Sequence, residues 1–149
     1  MISESQQKET SEMGRFSVDI SLANNRDVQL AAAGALREEE IRRSVVAAVV
    51  DTGAAHLVLP GKVVDELGFP EAGQVKVRYA DHRTGKRSRV SNVVLQAAGR
   101  EAVFTAIVEP KRETALLGAV VLEELDLVVD CTAGTLHPRD PDWIISEIE

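Results

Sequence analysis

Short apolar runs separated by turn clusters constrain this chain more than any other feature. Phe16, Val18, Ile20 and Leu22 alternate with Ser17, Asp19 and Ser21, the period-two pattern of a half-buried strand. Asn24-Asn25-Arg26-Asp27 reads as a turn, and Val28 to Ala33 as a second strand. Glu38-Glu39-Glu40 reads as a solvated loop or strand edge. Ser44 to Val50 is nearly all β-branched or small and apolar, which predicts a strand buried on both faces. His56 to Leu59 predicts another strand, followed by a short helix over Lys62 to Leu67 that Gly68 can end. Val75, Val77 and Tyr79 alternate, Asp81 to Gly85 reads as a turn, and Val90 to Leu95 as the partner strand of a long hairpin. Ala102 to Val108 is a further strand, Ala119 to Leu125 a second short helix, and Leu127 to Val129 with Thr135-Leu136 a closing pair. Many short strands, one or two short helices and no βαβ alternation predict an all-β barrel or sandwich.

Aromatic residues are only 3% of the chain, so its core has to be built from Val, Leu, Ile and Ala. The 149 residues suffice for one domain with a real core. The formal net charge of −7 argues against a nucleic-acid partner, which calls for a basic surface. One cysteine cannot form an internal disulfide. No apolar run approaches the roughly 18 residues of a membrane helix. Met1 to Gly14 is polar without an apolar signal core and reads as a loose leader. These features together predict a cytoplasmic protein with no membrane partner. The expected organisation is a leader over 1–14, a folded domain over 15–138 and an acidic tail over 139–149.

The segment that carries chemistry is Val45 to Pro60, VVAAVVDTGAAHLVLP. It sets one carboxylate, Asp51, in a tight turn between two apolar strands, where desolvation prepares it for acid–base work. Thr52 can hydrogen-bond locally and brace the turn. Gly53 allows a close approach that a side chain would block, and Ala54 keeps the space beside the carboxylate open. Asp-Thr-Gly alone is a common turn tripeptide. Here both flanks are continuously apolar, a second element, Leu116-Leu117-Gly118, opens a helix downstream, and a polar-tipped hairpin lies between them.

On Val50 to Ala54, on His56 to Leu59, on that hairpin and on Ala115 to Gly118 with the helix to Leu125, the chain resembles the retropepsin-like aspartic proteases. The resemblance runs from about Phe16 to Pro138 and is closest to bacterial members. It implies a single-lobed acid-protease barrel with Asp51 catalytic. Thr52 would lock two active-site turns of a dimer together, and Leu116 to Gly118 would pack behind the active-site loop. Two-lobed relatives carry two Asp-Thr-Gly turns, whereas this chain has one. The family chemistry needs two carboxylates about 3 Å apart sharing one proton. The resemblance therefore implies a symmetric homodimer pairing Asp51 with its copy. It further implies a flap over Val75 to Val94, with Tyr79, Ala80, Asp81 and Gly85 at the substrate, and Ala55, His56 and Leu116 as further substrate-binding positions. Family dimers often build their interface from chain termini, which points to Phe16–Leu22 and Leu127–Pro138.

No metal or other cofactor is expected, since His56, His82 and His137 lack zinc-site spacing and no phosphate loop or dinucleotide fingerprint occurs. Cys131 reads as structural. Arg78, Arg83, Lys86, Arg87 and Arg89 make the hairpin basic, which either solvates a mobile tip or favours acidic peptides. Trp143 reads as a packing residue in the acidic tail. Three functions are compatible with this reading: an aspartic endopeptidase acting as a homodimer on peptide or protein substrates, a catalytically weak or inactive dimeric peptide-binding module, and a monomeric precursor.

Overall fold

The computed structural model describes residues 15–149, and the leader expected over 1–14 lies outside them. Among the described residues nine strands carry the fold: β1 (Arg15–Asn24), β2 (Arg43–Asp51), β3 (Leu57–Pro60), β4 (Glu71–Arg78), β5 (Thr84–Ala97), β6 (Arg100–Glu109), β7 (Ala115–Leu117), β8 (Leu127–Asp130) and β9 (Thr135–Pro138). The α-helices are α1 (Asn25–Ala32), α2 (Gly61–Leu67) and α3 (Ala119–Glu124). Seven strands form one sheet in the order β1-β2-β7-β3-β6-β5-β4. The C-terminal half of β1 also pairs with β5, Ser21 to Asn24 against Gln96 to Val93, and closes six of the strands into a barrel. The closed all-β barrel expected from the sequence is thus the architecture, with β4 left outside the closure as an edge strand. β8 and β9 form a separate hairpin.

The barrel interior is aliphatic, as the low aromatic content requires. Ile20, Leu22, Val50, Leu57, Leu59, Val93, Leu95 and Leu117 are almost fully buried within one continuous core. α2 and α3 pack on this core through Val63, Val64 and Leu67 and through Val121 and Leu122. Gly68 ends α2 in the left-handed conformation at φ +65°, where a β-carbon would be strained.

Three expectations are corrected. Val28 to Ala33 is not a strand, because Asn25–Ala32 is helical. Asn24 is an N-cap and not a turn residue: its Oδ1 accepts from the backbone N–H groups of Arg26 and Asp27. Asn and Asp satisfy helix starts as readily as turns, and Gln29, Leu30, Ala31 and Ala32 then favour the helix. Second, β2 is not buried on both faces. Ala48 and Val50 face the core while Val45 is 66% exposed, because the outer face of this barrel wall is not covered by a second layer. Third, the hairpin turns at Tyr79–Arg83, two residues earlier than expected. The Tyr79 N–H donates to the Arg83 carbonyl and the His82 N–H to the Tyr79 carbonyl.

Asn24 also ties the barrel together. Only 1% exposed, it donates from Nδ2 to the carbonyls of Leu67 (2.8 Å) and Gly68 (3.2 Å) at the end of α2. Next to it, buried Asp27 takes a two-pronged contact from Arg42, Nε to Oδ2 at 2.8 Å and Nη2 to Oδ1 at 3.0 Å. The Arg42 hydrogen bonds hold the Asp27 carboxyl below the usual carboxylate range. Asn24→Ala removes a helix cap and leaves a buried carbonyl unpaired. The expected loss is about 2–4 kcal/mol of stability, read as a lower urea midpoint with an unchanged slope.

The tail folds back on the same barrel. The Trp143 ring lies against Gly99 in the β5–β6 turn, and Arg100 donates to the Trp143 carbonyl at 3.0 Å with its guanidinium 5.5 Å from the ring centre. Among the described residues no helix is long and apolar enough to cross a membrane.

Candidate active site

Asp51 is the last residue of β2 and stands opposite Arg15, the first described residue of β1. Its carboxylate is held at both oxygens. The Gly53 N–H donates to Oδ1 at 2.9 Å, and Arg15 Nη2 lies 3.1 Å from Oδ2. The Ala54 N–H closes the turn onto the Asp51 carbonyl at 3.1 Å. A β-carbon on Gly53 would lie 3.3 Å from Oδ1, so glycine permits this close wrap. The brace expected from Thr52 is therefore supplied by Asp51 itself. Among the described residues the Thr52 hydroxyl has no hydrogen-bond partner, and the residue is exposed at the apex.

The loop after the turn is fixed from behind by α3. Gly118, Ala119 and Val120 donate their backbone N–H groups to the carbonyls of His56 (3.2 Å), Ala54 (2.8 Å) and Ala55 (2.9 Å). A helix start leaves its first N–H groups without intrahelical partners, and here the loop after the turn takes them. Leu117 pairs with both Val50 and Leu57, so β7 spans the two strands that flank the turn. Leu116 is half-buried within this ladder and does not line the cleft described next.

That cleft, of about 580 Å³, opens beside the turn. Gly53, Ala54, Ala55 and His56 form its floor with Val58 of β3, and Thr105 to Ile107 of β6 form a side wall. Val75 to Arg78 of β4 and Arg89 of β5 complete it from the hairpin. The size suits part of an extended peptide, and β4 offers an unpaired strand edge along it.

The structure thus brings Ala54, Ala55 and His56 to the cleft and leaves Tyr79, Ala80 and Asp81 beyond it, at the hairpin tip. Gly85 likewise lies outside it, opposite Val77. Ala80 is exposed and Asp81 pairs with Arg83 at 2.7 Å. Tyr79 latches the tip to the barrel. Its hydroxyl donates to Glu109 Oε2 at 2.5 Å, Arg87 Nε donates to Glu109 Oε1 at 2.6 Å, and the Arg83 and Arg87 guanidiniums lie 5.2 and 5.5 Å from the ring centre. Burial and the hydrogen bond to Glu109 raise the Tyr79 hydroxyl above its ordinary pKa. Burial opposes ionisation of Glu109, but the bonds from Tyr79 and Arg87 outweigh it and lower its pKa. Sequence reasoning missed Glu109 and Arg15, whose partners are set by strand register and by where the hairpin tip folds. Among the described residues no cluster of His, Cys, Asp or Glu is arranged to hold a metal ion.

A single-lobed barrel, an Asp-Thr-Gly turn at the end of β2 and a hairpin that shares a cleft with the turn define an aspartyl-protease-like domain. The family model described as gag-polyprotein putative aspartyl protease matches residues 38–124, more than half of the chain and including the turn, the hairpin and α3. The chain belongs to that family. No curated protein matches it.

Proposed function

We propose that the protein is an aspartic endopeptidase acting as a homodimer, in which each subunit contributes Asp51 to one shared site. The observation that carries this reading is the single Asp51 turn, anchored from behind by α3 yet exposed at Thr52 and Gly53, where a second copy can reach it. Two such turns meeting about a two-fold axis bring two carboxylates onto one water. One, ionised, accepts a proton from the water as its oxygen attacks the peptide carbonyl. The other, protonated, donates to the carbonyl oxygen and stabilises the developing charge. Return of a proton to the leaving amine breaks the carbon–nitrogen bond and restores the pair, whose titration belongs to both carboxylates together. The substrate lies extended against the β4 edge, with Ala54, Ala55 and His56 beneath it. The Tyr79–Glu109 latch fixes how far the hairpin stands from that floor. Phe16–Leu22 and Leu127–Pro138 both turn apolar residues to the core, Phe16, Ile20 and Leu22 from one and Leu127 from the other, and their outer faces are the candidates for the dimer interface. The compartment we propose is the cytoplasm.

Ala55 favours a second reading. It offers the cleft only a methyl group where a polar residue would anchor a substrate backbone, which suits a dimeric module that binds peptides and cuts them poorly. Sedimentation combined with cleavage of a fluorogenic peptide mixture, at acidic and at neutral pH, tests both. Dimer with cleavage is the expected result. A dimer that binds peptide without cutting it selects the second reading. A monomer without cleavage overturns the shared site.

A further inference from the structure

The cleft beside Asp51 carries the opposite charge to the chain that builds it. The protein has a formal net charge of −7. Yet Lys76, Arg78 and Arg89 line this cleft, His56 sits on its floor, and among the described residues no carboxylate lines it. The neighbouring carboxylates are already engaged, Asp81 by Arg83 and Glu109 by Tyr79 and Arg87. Among the described residues Lys76 and Arg78 have no carboxylate partner, and Arg89 reaches only the Ala72 carbonyl, at 3.3 Å. Resting on the endopeptidase reading of this site, we propose that its substrates are acidic peptides, with Asp or Glu side chains flanking the bond presented to Asp51.

The placement explains how selection works. Lys76 and Arg78 are two residues apart on β4, so they lie on one face of the strand. A peptide added along that free edge meets both cations at alternate positions of its own backbone. The apolar wall, Val58 and Ile107, takes the intervening side chains. Arg83 and Arg87 also make the hairpin basic, but their charge is spent internally. Lys86 lies outside the cleft, so specificity resides in the three cations that line it, Lys76, Arg78 and Arg89. A nucleic acid would bring like charge to a protein of net charge −7 and would leave the strand edge unpaired.

The test compares peptides that differ only by Glu or Gln at the flanking positions. The full-length protein is expected to cleave the Glu peptides with kcat/KM about tenfold higher, an advantage that shrinks as salt is raised. The triple variant K76Q/R78Q/R89Q is expected to lose the preference, and Arg78→Glu to shift it toward Lys-containing peptides. Equal cleavage of the two series by the wild type, or a preference that survives in the triple variant, overturns the proposal. Fluorescence anisotropy with the same labelled peptides separates this from the catalytic reading. Tighter binding of the Glu series without cleavage retains the acid selectivity and removes the hydrolase. Equal binding of both series, or equal competition by a short oligonucleotide, removes the selectivity whether or not cleavage occurs.

Discussion

Asp51→Asn is expected to reduce peptide cleavage by about 10³-fold or more while leaving the protein folded and dimeric. The fold survives because the substitution is nearly isosteric. The amide oxygen still accepts from the Gly53 N–H, and what is lost is one contact to Arg15, whose side chain is 52% exposed. An exposed pair of this kind contributes about 0–1 kcal/mol, so the urea midpoint should barely move. Catalysis fails because an amide can neither take a proton from water nor share one with its partner. Subunit mixing sharpens the test. If both carboxylates come from the same position of two chains, every mixed dimer is inactive. Adding an equal amount of the variant should then leave the wild type with roughly half its activity, from random pairing. Full retention of activity would mean that each subunit works alone. Loss of folding would place Asp51 in the architecture and not in the chemistry.

What the sequence revealed and what it concealed divide along a physical line. The Asp51 turn, the α2 helix with its Gly68 cap and the hairpin are written in local patterns. These are an apolar run ending in Asp-Thr-Gly, a Pro-Gly opening, and alternation between Val75 and Val77. The α1 error is also local: Asn24 and Asp27 stabilise both turns and helix starts, and the Asn24 side chain capping the Arg26 and Asp27 N–H groups while tied to Leu67 and Gly68 shows which was meant. The cleft was the least legible part. Its cationic character depends on which hairpin residues reach the floor, and that is set by register and barrel closure. Arg83 and Arg87 are as basic in sequence as Arg78 and Arg89. Folding pairs the first two with Asp81 and Glu109 and turns the second two toward the active-site loop. Glu109 gave no signal of its own, because its partner Tyr79 lies 30 residues away.

The same non-local logic makes Gly118→Ala damaging despite the small size of the change. Gly118 is an ordinary extended residue at φ −92°, so conformational freedom is not the reason for glycine there. Contact is the reason. A β-carbon at this position would stand 2.6 Å from the Ala55 carbonyl carbon and 2.7 Å from both the nitrogen and the oxygen of His56. All three are main-chain atoms, which cannot turn aside as the end of a side chain can. Either α3 retreats or the loop does, and each movement stretches the three hydrogen bonds from Gly118, Ala119 and Val120 to that loop. Overpacking of this kind costs about 1–3 kcal/mol, and strained hydrogen bonds add to it, so a stability loss of about 2–4 kcal/mol is expected. The effect on cleavage should exceed the effect on folding. The displaced residues are the cleft floor and the far side of the Asp51 turn, and a 1 Å misplacement of reacting groups costs about 10²-fold in rate. Measured at a temperature where the variant is fully folded, kcat/KM should therefore fall by about 10²-fold. A variant that unfolds more easily but cleaves normally while folded would show that α3 supports the barrel without setting the position of the active-site loop.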